Sequence, residues 1–339
     1  MNILKPGSHQ KLTHVFEPEM VRSGTISDGS CFFHSILHAI DSKYRILTDE
    51  KKQETVKELR EKIANSITKK KWETVSNGSV SLVSISRRLW VYMLKYIDCV
   101  CNNTTDKSIE PLLSQLDSNV AKIIFEIISK NDIEKIIEQS YNEYEKKQRS
   151  ETDKSSRFNN ILSSNMFHLF NIKMKETEEK YNTTISNERR SKFSNYFIHI
   201  IKKIYTYSSE QSFKKYKDTL KKCDKWINHE KLSLLSDYFK RDIYILNGDD
   251  NNILPYNIGG QELYKKRKSI ILLYLNESHF ECLGTYFHIT LNNIKKPQAF
   301  RDFKYNHPLI QKFYYYLCEP TIFAEKYPDL KQYLPNKFN

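Results

Sequence analysis

No apolar run in this sequence is long enough to cross a bilayer: the longest, Ser269 to Leu275, is far short of the roughly 20 residues a spanning helix needs. Paired cysteine spacing is also missing although six cysteines are present, which argues against a disulfide framework of the secreted kind. The opening Met1-Asn2-Ile3-Leu4-Lys5-Pro6-Gly7 has no apolar leader core. The expectation is a soluble, intracellular, cytoplasmic protein in a reducing compartment, without a membrane partner.

Metal-binding patterns are lacking as well. Cys99 and Cys101 form a C-x-C with no second pair, and His34 and His38, four residues apart, lack the Glu of a His-Glu-x-x-His motif. No metal and no cofactor is expected. Helix-turn-helix, RNP, KH and zinc-finger signatures are missing, and so are internal repeats. That absence matters because a net charge of +13 with 22 Tyr and 18 Phe otherwise suggests phosphate contacts and base stacking. Clusters such as Lys69-Lys70-Lys71, Lys265-Lys266-Arg267-Lys268 and Lys295-Lys296 are dispersed among acids, as solvated faces are. A basic, nucleic-acid-associated protein is therefore an alternative resting on charge alone. The richness in Lys, Asn and Ile also fits an A/T-rich coding genome such as that of a large DNA virus, which would place the protein in host cytoplasm.

What is present is sharper. Asp28-Gly29-Ser30-Cys31-Phe32-Phe33-His34-Ser35 runs turn residues into an apolar stripe, Phe32, Phe33, Ile36, Leu37 and Ile40, with the spacing of one helix face. Asp28 and Ser30 are turn and cap residues, and Gly29 frees the backbone. Cys31 thus falls in the first helical turn, where unpaired N–H groups and the helix dipole favour a thiolate and could hold an oxyanion. On this reading Cys31 is the fastest of the thiols to alkylate near neutral pH.

Far downstream, Ser269 to Leu275 reads as a core strand, Asn276-Glu277-Ser278 as a turn, and His279-Phe280-Glu281-Cys282-Leu283 as a second strand. Alternation sends His279 and Glu281 to one face and Phe280 and Cys282 to the other. A thiol, a histidine to take its proton and a carboxylate to set the imidazole tautomer are the working parts of a thiol hydrolase.

These segments resemble the ovarian-tumour (OTU) class of papain-like deubiquitinating cysteine proteases, in which an Asp-Gly-x-Cys-aromatic segment carries the nucleophile and a strand-borne His-aromatic-acid segment the base. Asp28, Gly29, Cys31, Phe32 and Phe33 match the first, and His279, Phe280 and Glu281 the second. A weaker likeness runs from Trp226 through Glu230, Leu232, Leu234 and Leu235 to Ile243 and Ile245. Two departures stand out: His34 replaces an Arg common in the family, and Glu281 is longer than the usual Asp or Asn.

The resemblance implies an α+β fold with a small central sheet flanked by helices, and hydrolysis of isopeptide bonds at the C-terminal glycine of ubiquitin or a ubiquitin-like modifier. It implies Cys31 as nucleophile, His279 as base and Glu281 as its orienter. Asp28 would shape the loop, the backbone around Gly29 and Ser30 would bind the oxyanion, and Phe280 and Trp226 would contact substrate. Ubiquitin or polyubiquitin conjugates would be the partners. A catalytically silent ubiquitin-binding protein is the alternative from another class.

The long interval between Cys31 and His279 implies an insertion. The expected organisation is an N-terminal core part at 1–101, a helical insertion at 102–222, a C-terminal core part at 223–296 and an aromatic extension at 297–339 folded back on the core. Helices are expected at 49–67 and 84–98, both on the core, and at 109–128, 131–147 and around Phe193 to Ile204. A loop is expected at 148–160, and 173–192 has little apolar face.

Overall fold

The computed structural model describes residues 1–13, 16, 19–74, 79–114, 116–146, 154–225, 232–248, 253–256, 263, 266–291 and 294–334. Contacts divide the chain into two compact units, Met1–Ile67 with Lys217–Asn339, and Thr68–Tyr216. The first opens with β1 (His9–Leu12), β2 (Met20–Ser23), α1 (Cys31–Ile40), α2 (Ser42–Arg45) and α3 (Asp49–Ser66). Next come the helices α4 (Lys69–Thr74), α5 (Ser79–Asn102), α6 (Glu110–Leu113), α7 (Ser118–Ile127), α8 (Lys130–Lys146), α9 (Lys154–Tyr181) and α10 (Asn187–Lys221). The first unit resumes with α11 (Leu232–Phe239), β3 (Arg241–Asn247), β4 (Leu254–Tyr256), β5 (Lys268–Leu275), β6 (His279–Leu291), β7 (Ile294–Phe300), α12 (Pro308–Cys318), α13 (Pro320–Lys326) and a short 3-10 helix, Pro328–Tyr333.

The fold class is α+β. Strands assemble in the order β1-β2-β6-β5-β3-β4, with β7 also on β6. Among the described pairings only β3 with β5 is parallel. β5 carries a continuous apolar run because both its faces are buried. On one face Ile271, Leu273 and Leu275 join Phe303, Phe313 and Phe323 in one cluster, so the aromatic tail forms a core layer. On the opposite side α1 lies against β5 and β6, with Phe32 and Phe280 edge to face at 5.2 Å. The hairpin turn at 276–278 holds Asn276 and Glu277 at φ of 50° and 52°, the left-handed region.

α3 is helical where expected, with Thr48 Oγ accepting from the Lys51 N–H at its start. The helical unit starts earlier than residue 102: α4 and α5 belong to it, not to the core. Trp72 packs on Phe213 at 5.6 Å and on Tyr216 at 6.2 Å, and Ser208 Oγ donates to the Ile85 carbonyl. The helix expected over 109–128 is broken, because Asp117 accepts from the N–H groups of Asn119 and Val120 and starts α7 afresh. Of the loop expected at 148–160, residues 154–160 are helical, since Phe158 is buried between Tyr144 and Tyr205; 148–153 lie outside the described residues. The polar stretch 173–192 continues α9 to Tyr181 and begins α10 at Asn187. Glu178 closes the turn between them by accepting from the Ile185 N–H and pairing with Arg190. Among the described residues no helix is long and apolar enough to cross a membrane.

Candidate active site

Cys31 is the first residue of α1 and is wholly buried. Its Sγ lies 3.8 Å from the Ser278 carbonyl oxygen, and the Phe280 N–H also acts on it, so the sulfur rests against backbone on both sides of His279. Ser35 Oγ, one turn along α1, donates to the Phe280 carbonyl at 2.9 Å and pins the helix to the start of β6. Thr25 Oγ donates to the same carbonyl at 2.6 Å.

The loop before Cys31 is built by side chains whose roles differ from one another. Asp28 accepts from the Ser30 N–H at 3.0 Å through one oxygen, and its other lies 3.0 Å from His34 Nε2. That engages the Ser30 N–H, which the resemblance offers as an oxyanion donor; the N–H groups of Phe280, Phe32 and Cys31 are the ones acting on the sulfur. Gly29 sits at φ +71°, and a Cβ there would meet the Cys223 carbonyl oxygen at 2.9 Å. Only glycine serves both conditions. Ser30 holds the N-cap position of α1 without capping it: its Oγ donates to the Cys223 carbonyl at 3.0 Å and accepts from Arg60 Nη1 at 2.8 Å.

Arg60 was not singled out in the sequence, although it sits on the apolar face of α3 between Val56 and Ile63, which is an unusual place for a guanidinium. It is 0% exposed, stacks on Phe33 at 5.1 Å and donates to the carbonyls of Leu220 (2.7 Å), Thr219 (3.2 Å) and Lys225 (2.9 Å). It therefore caps the C-terminal turn of α10 and ties residues 219–225 to the Cys31 loop.

The imidazole of His279 is 1% exposed. Its Nδ1 lies 3.2 Å from Ser27 Oγ, and its Nε2 is buried with no hydrogen-bond partner. With the proton on Nδ1, Ser27 accepts it and Nε2 carries the free lone pair a base needs. Glu281 does not orient the ring. Its carboxylate accepts from the Leu4 N–H at 2.7 Å and lies 3.5 Å from Arg22, whose guanidinium is also held by Gln10. The β2–β6 register sets Arg22 opposite Leu283, one step along the same face from Glu281, so the acid's charge is met across the sheet by Arg22 while its Oε2 makes no hydrogen bond. Phe280 is buried between Phe32 and Tyr274 and packs the core instead of offering a surface to substrate. Trp226 lies outside the described residues.

Burial sets the electrostatics. It pushes the Cys31 thiol up to about 12, with the negative charge of Asp28 acting the same way and the N–H groups of Phe280, Phe32 and Cys31 opposing. It lowers His279 to about 4, with His34 adding to the effect. Glu281 is raised by burial against the pull of the Leu4 N–H and Arg22. At neutral pH Cys31 is a thiol and His279 a neutral imidazole. All six cysteines are free, and among the described residues no group of three His, Cys, Asp or Glu is placed to hold a metal ion.

No family model, curated protein or solved structure matches this chain.

Proposed function

We propose that the protein is an OTU-like, papain-fold cysteine isopeptidase, with ubiquitin or a ubiquitin-like modifier as the group whose C-terminal glycine it releases. The observation that carries the reading is the placement of Cys31 at a helix start, its sulfur against the backbone flanking His279, whose Nε2 is left unpartnered. Cys31 gives its proton to His279 Nε2 as its sulfur attacks the glycyl carbonyl carbon. The oxyanion that forms faces the N–H groups of Cys31 and Phe32, a donor type worth roughly 3 kcal/mol each. Collapse passes the proton from His279 to the departing lysine amine, and water then hydrolyses the thioester. Ser27 takes the orienting place, and Asp28, with His34 beside it, holds the loop.

The burial of both Cys31 and His279 favours a second reading, a silent protein that binds the modifier without cleaving it. Ubiquitin carrying a cysteine-reactive electrophile at its C-terminus separates them. An adduct of the expected mass, lost in Cys31→Ala and in His279→Gln, supports the isopeptidase. Binding of ubiquitin without any adduct supports the silent binder.

A further inference from the structure

Away from this site, the helical unit carries a groove of about 530 Å³ between α5 and α8. Its walls are two matched helix faces: Val83, Ser86, Arg87 and Trp90 on α5, and Glu134, Ile137, Glu138 and Tyr141 on α8. Both sets follow the i, i+3, i+4, i+7 spacing by which one helix presents a stripe to another. Two parallel stripes with a trough between them have the shape that receives a third helix.

The chemistry of the groove is uneven. Trp90 is 41% exposed, a large aromatic left in solvent by a chain that holds Trp72 at 5% exposure. The Trp90 indole N–H donates to Glu134 across the groove at 3.2 Å, which fixes the ring as a rigid wall. Ser86 is more than nine-tenths buried in the same groove, and its hydroxyl has no hydrogen-bond partner. A buried hydroxyl left unmade is costly unless a ligand completes it. Charge is asymmetric: Glu134 and Glu138 stand on the α8 side and Arg87 alone on the α5 side. This is an acidic rim on a protein of net charge +13.

From these features we infer that the α5–α8 groove is a docking site for an amphipathic helix of a partner protein, its apolar stripe on Trp90, Ile137 and Tyr141 and lysines or arginines along the flank that faces Glu134 and Glu138. Aromatic walls beside carboxylates suit such cationic side chains, whose stems cover the ring while the charge meets the acid. The acidic side selects against a helix with acidic flanks. Nothing in this inference depends on the Cys31 site.

The test uses the full-length protein and two designed helical peptides of about 18 residues, long enough to hold helical structure. Both carry the same leucine stripe, one flanked by lysines and the other by glutamates. The lysine peptide is expected to bind saturably, to shift the Trp90 emission, and to outbind the glutamate peptide about tenfold or more. Trp90→Ala should abolish binding with unchanged circular dichroism, and Glu134→Lys with Glu138→Lys should reverse the preference between peptides. Equal binding of both peptides, no saturable binding, or indifference to the charge reversal would overturn the proposal. A dimer seen by sedimentation and dissolved by Trp90→Ala would also overturn it, assigning the groove to a second copy.

Discussion

Arg60 is where stability and the candidate site meet, so its removal has a calculable effect. Its guanidinium is 0% exposed and donates to Ser30 Oγ and to the carbonyls of Thr219, Leu220 and Lys225. A hydrogen bond from a charged donor contributes about 1.5–3 kcal/mol, and desolvating the charge takes back several kcal/mol. Arg60→Met removes that desolvation penalty but leaves the buried Leu220 carbonyl and Ser30 hydroxyl short of a donor, along with the part-buried carbonyls of Thr219 and Lys225. The expected net loss is about 2–4 kcal/mol, from two buried acceptors left unmade at about 1–3 kcal/mol each, less the desolvation recovered. That is a large part of the roughly 5–15 kcal/mol by which a folded domain is stable. Arg60→Lys keeps the charge and gives up the planar fork, and should fall between the two. Urea unfolding at constant m-value reads the loss, and the rate of Cys31 alkylation in folded protein reads the loop. The two should move together, because Ser30 immediately precedes Cys31. A Met variant within about 0.5 kcal/mol of wild type, with Cys31 alkylation unchanged, would refute the assignment of Arg60 as the tie between α10 and the loop.

Gly29→Ala should destabilise by about 1–3 kcal/mol, from the left-handed backbone and the 2.9 Å approach to Cys223, seen as a lowered Tm; an unchanged Tm would contradict both. Alkylation by iodoacetamide, read by peptide mass, should reach the exposed Cys101 and Cys318 before Cys31, reversing the order expected from sequence; Cys31 reacting first would mean an open site at rest. Burial lowers His279 to about 4 and His38 to about 3, so between those values and 6.5 the unfolded chain binds protons the folded one does not. Stability from these rings is complete above pH 6.5 and lost as the pH falls toward 4, by about 3 kcal/mol for His279 alone. Urea unfolding at pH 7 and pH 4.5 checks this, and His38→Leu should flatten the slope. Ser27→Ala should slow adduct formation by the ubiquitin electrophile about tenfold while leaving ubiquitin binding intact; an unchanged rate would remove Ser27 from the site.

The parts of the fold that were legible in the sequence are those a single segment determines. The α1 stripe, the all-apolar β5 and the turn before His279 each carry a local period or turn signal. Asp28 and Gly29 were also readable, because an acid and a glycine before a helix have local meanings. What was hidden depends on pairing across distance. Nothing near Glu281 announces Arg22, which meets it only through the β2–β6 register, and so the acid two residues after the histidine looked like its orienter. Ser27 carries no signal of its own, since a serine before a turn has many uses. Arg60 did leave a trace as a lone guanidinium on an apolar helix face, and that trace would have been enough to mark it. The early start of the helical unit was masked because α5 is apolar enough to pass for a core helix, and its partners Tyr207 and Ser208 lie far along the chain.

The electrostatics of the site also constrain how it would work. A thiol raised to about 12 and an imidazole lowered to about 4 are both neutral at pH 7, and burial is what keeps them so. Moving the proton from sulfur to nitrogen creates two charges where there were none, and a dry environment opposes that. The same burial denies a substrate carbonyl access to the sulfur. On the isopeptidase reading one change would relieve both obstacles: exposing the start of α1 and the turn at 276–278 would let a substrate in and bring the thiolate and imidazolium nearer to water. The N–H groups of Phe280, Phe32 and Cys31 already favour negative charge on the sulfur, opposing the effect of burial. On that reading, the geometry at rest would thus be a protected form of the thiol, and the arrival of a substrate that opens the turn would be the step that activates it.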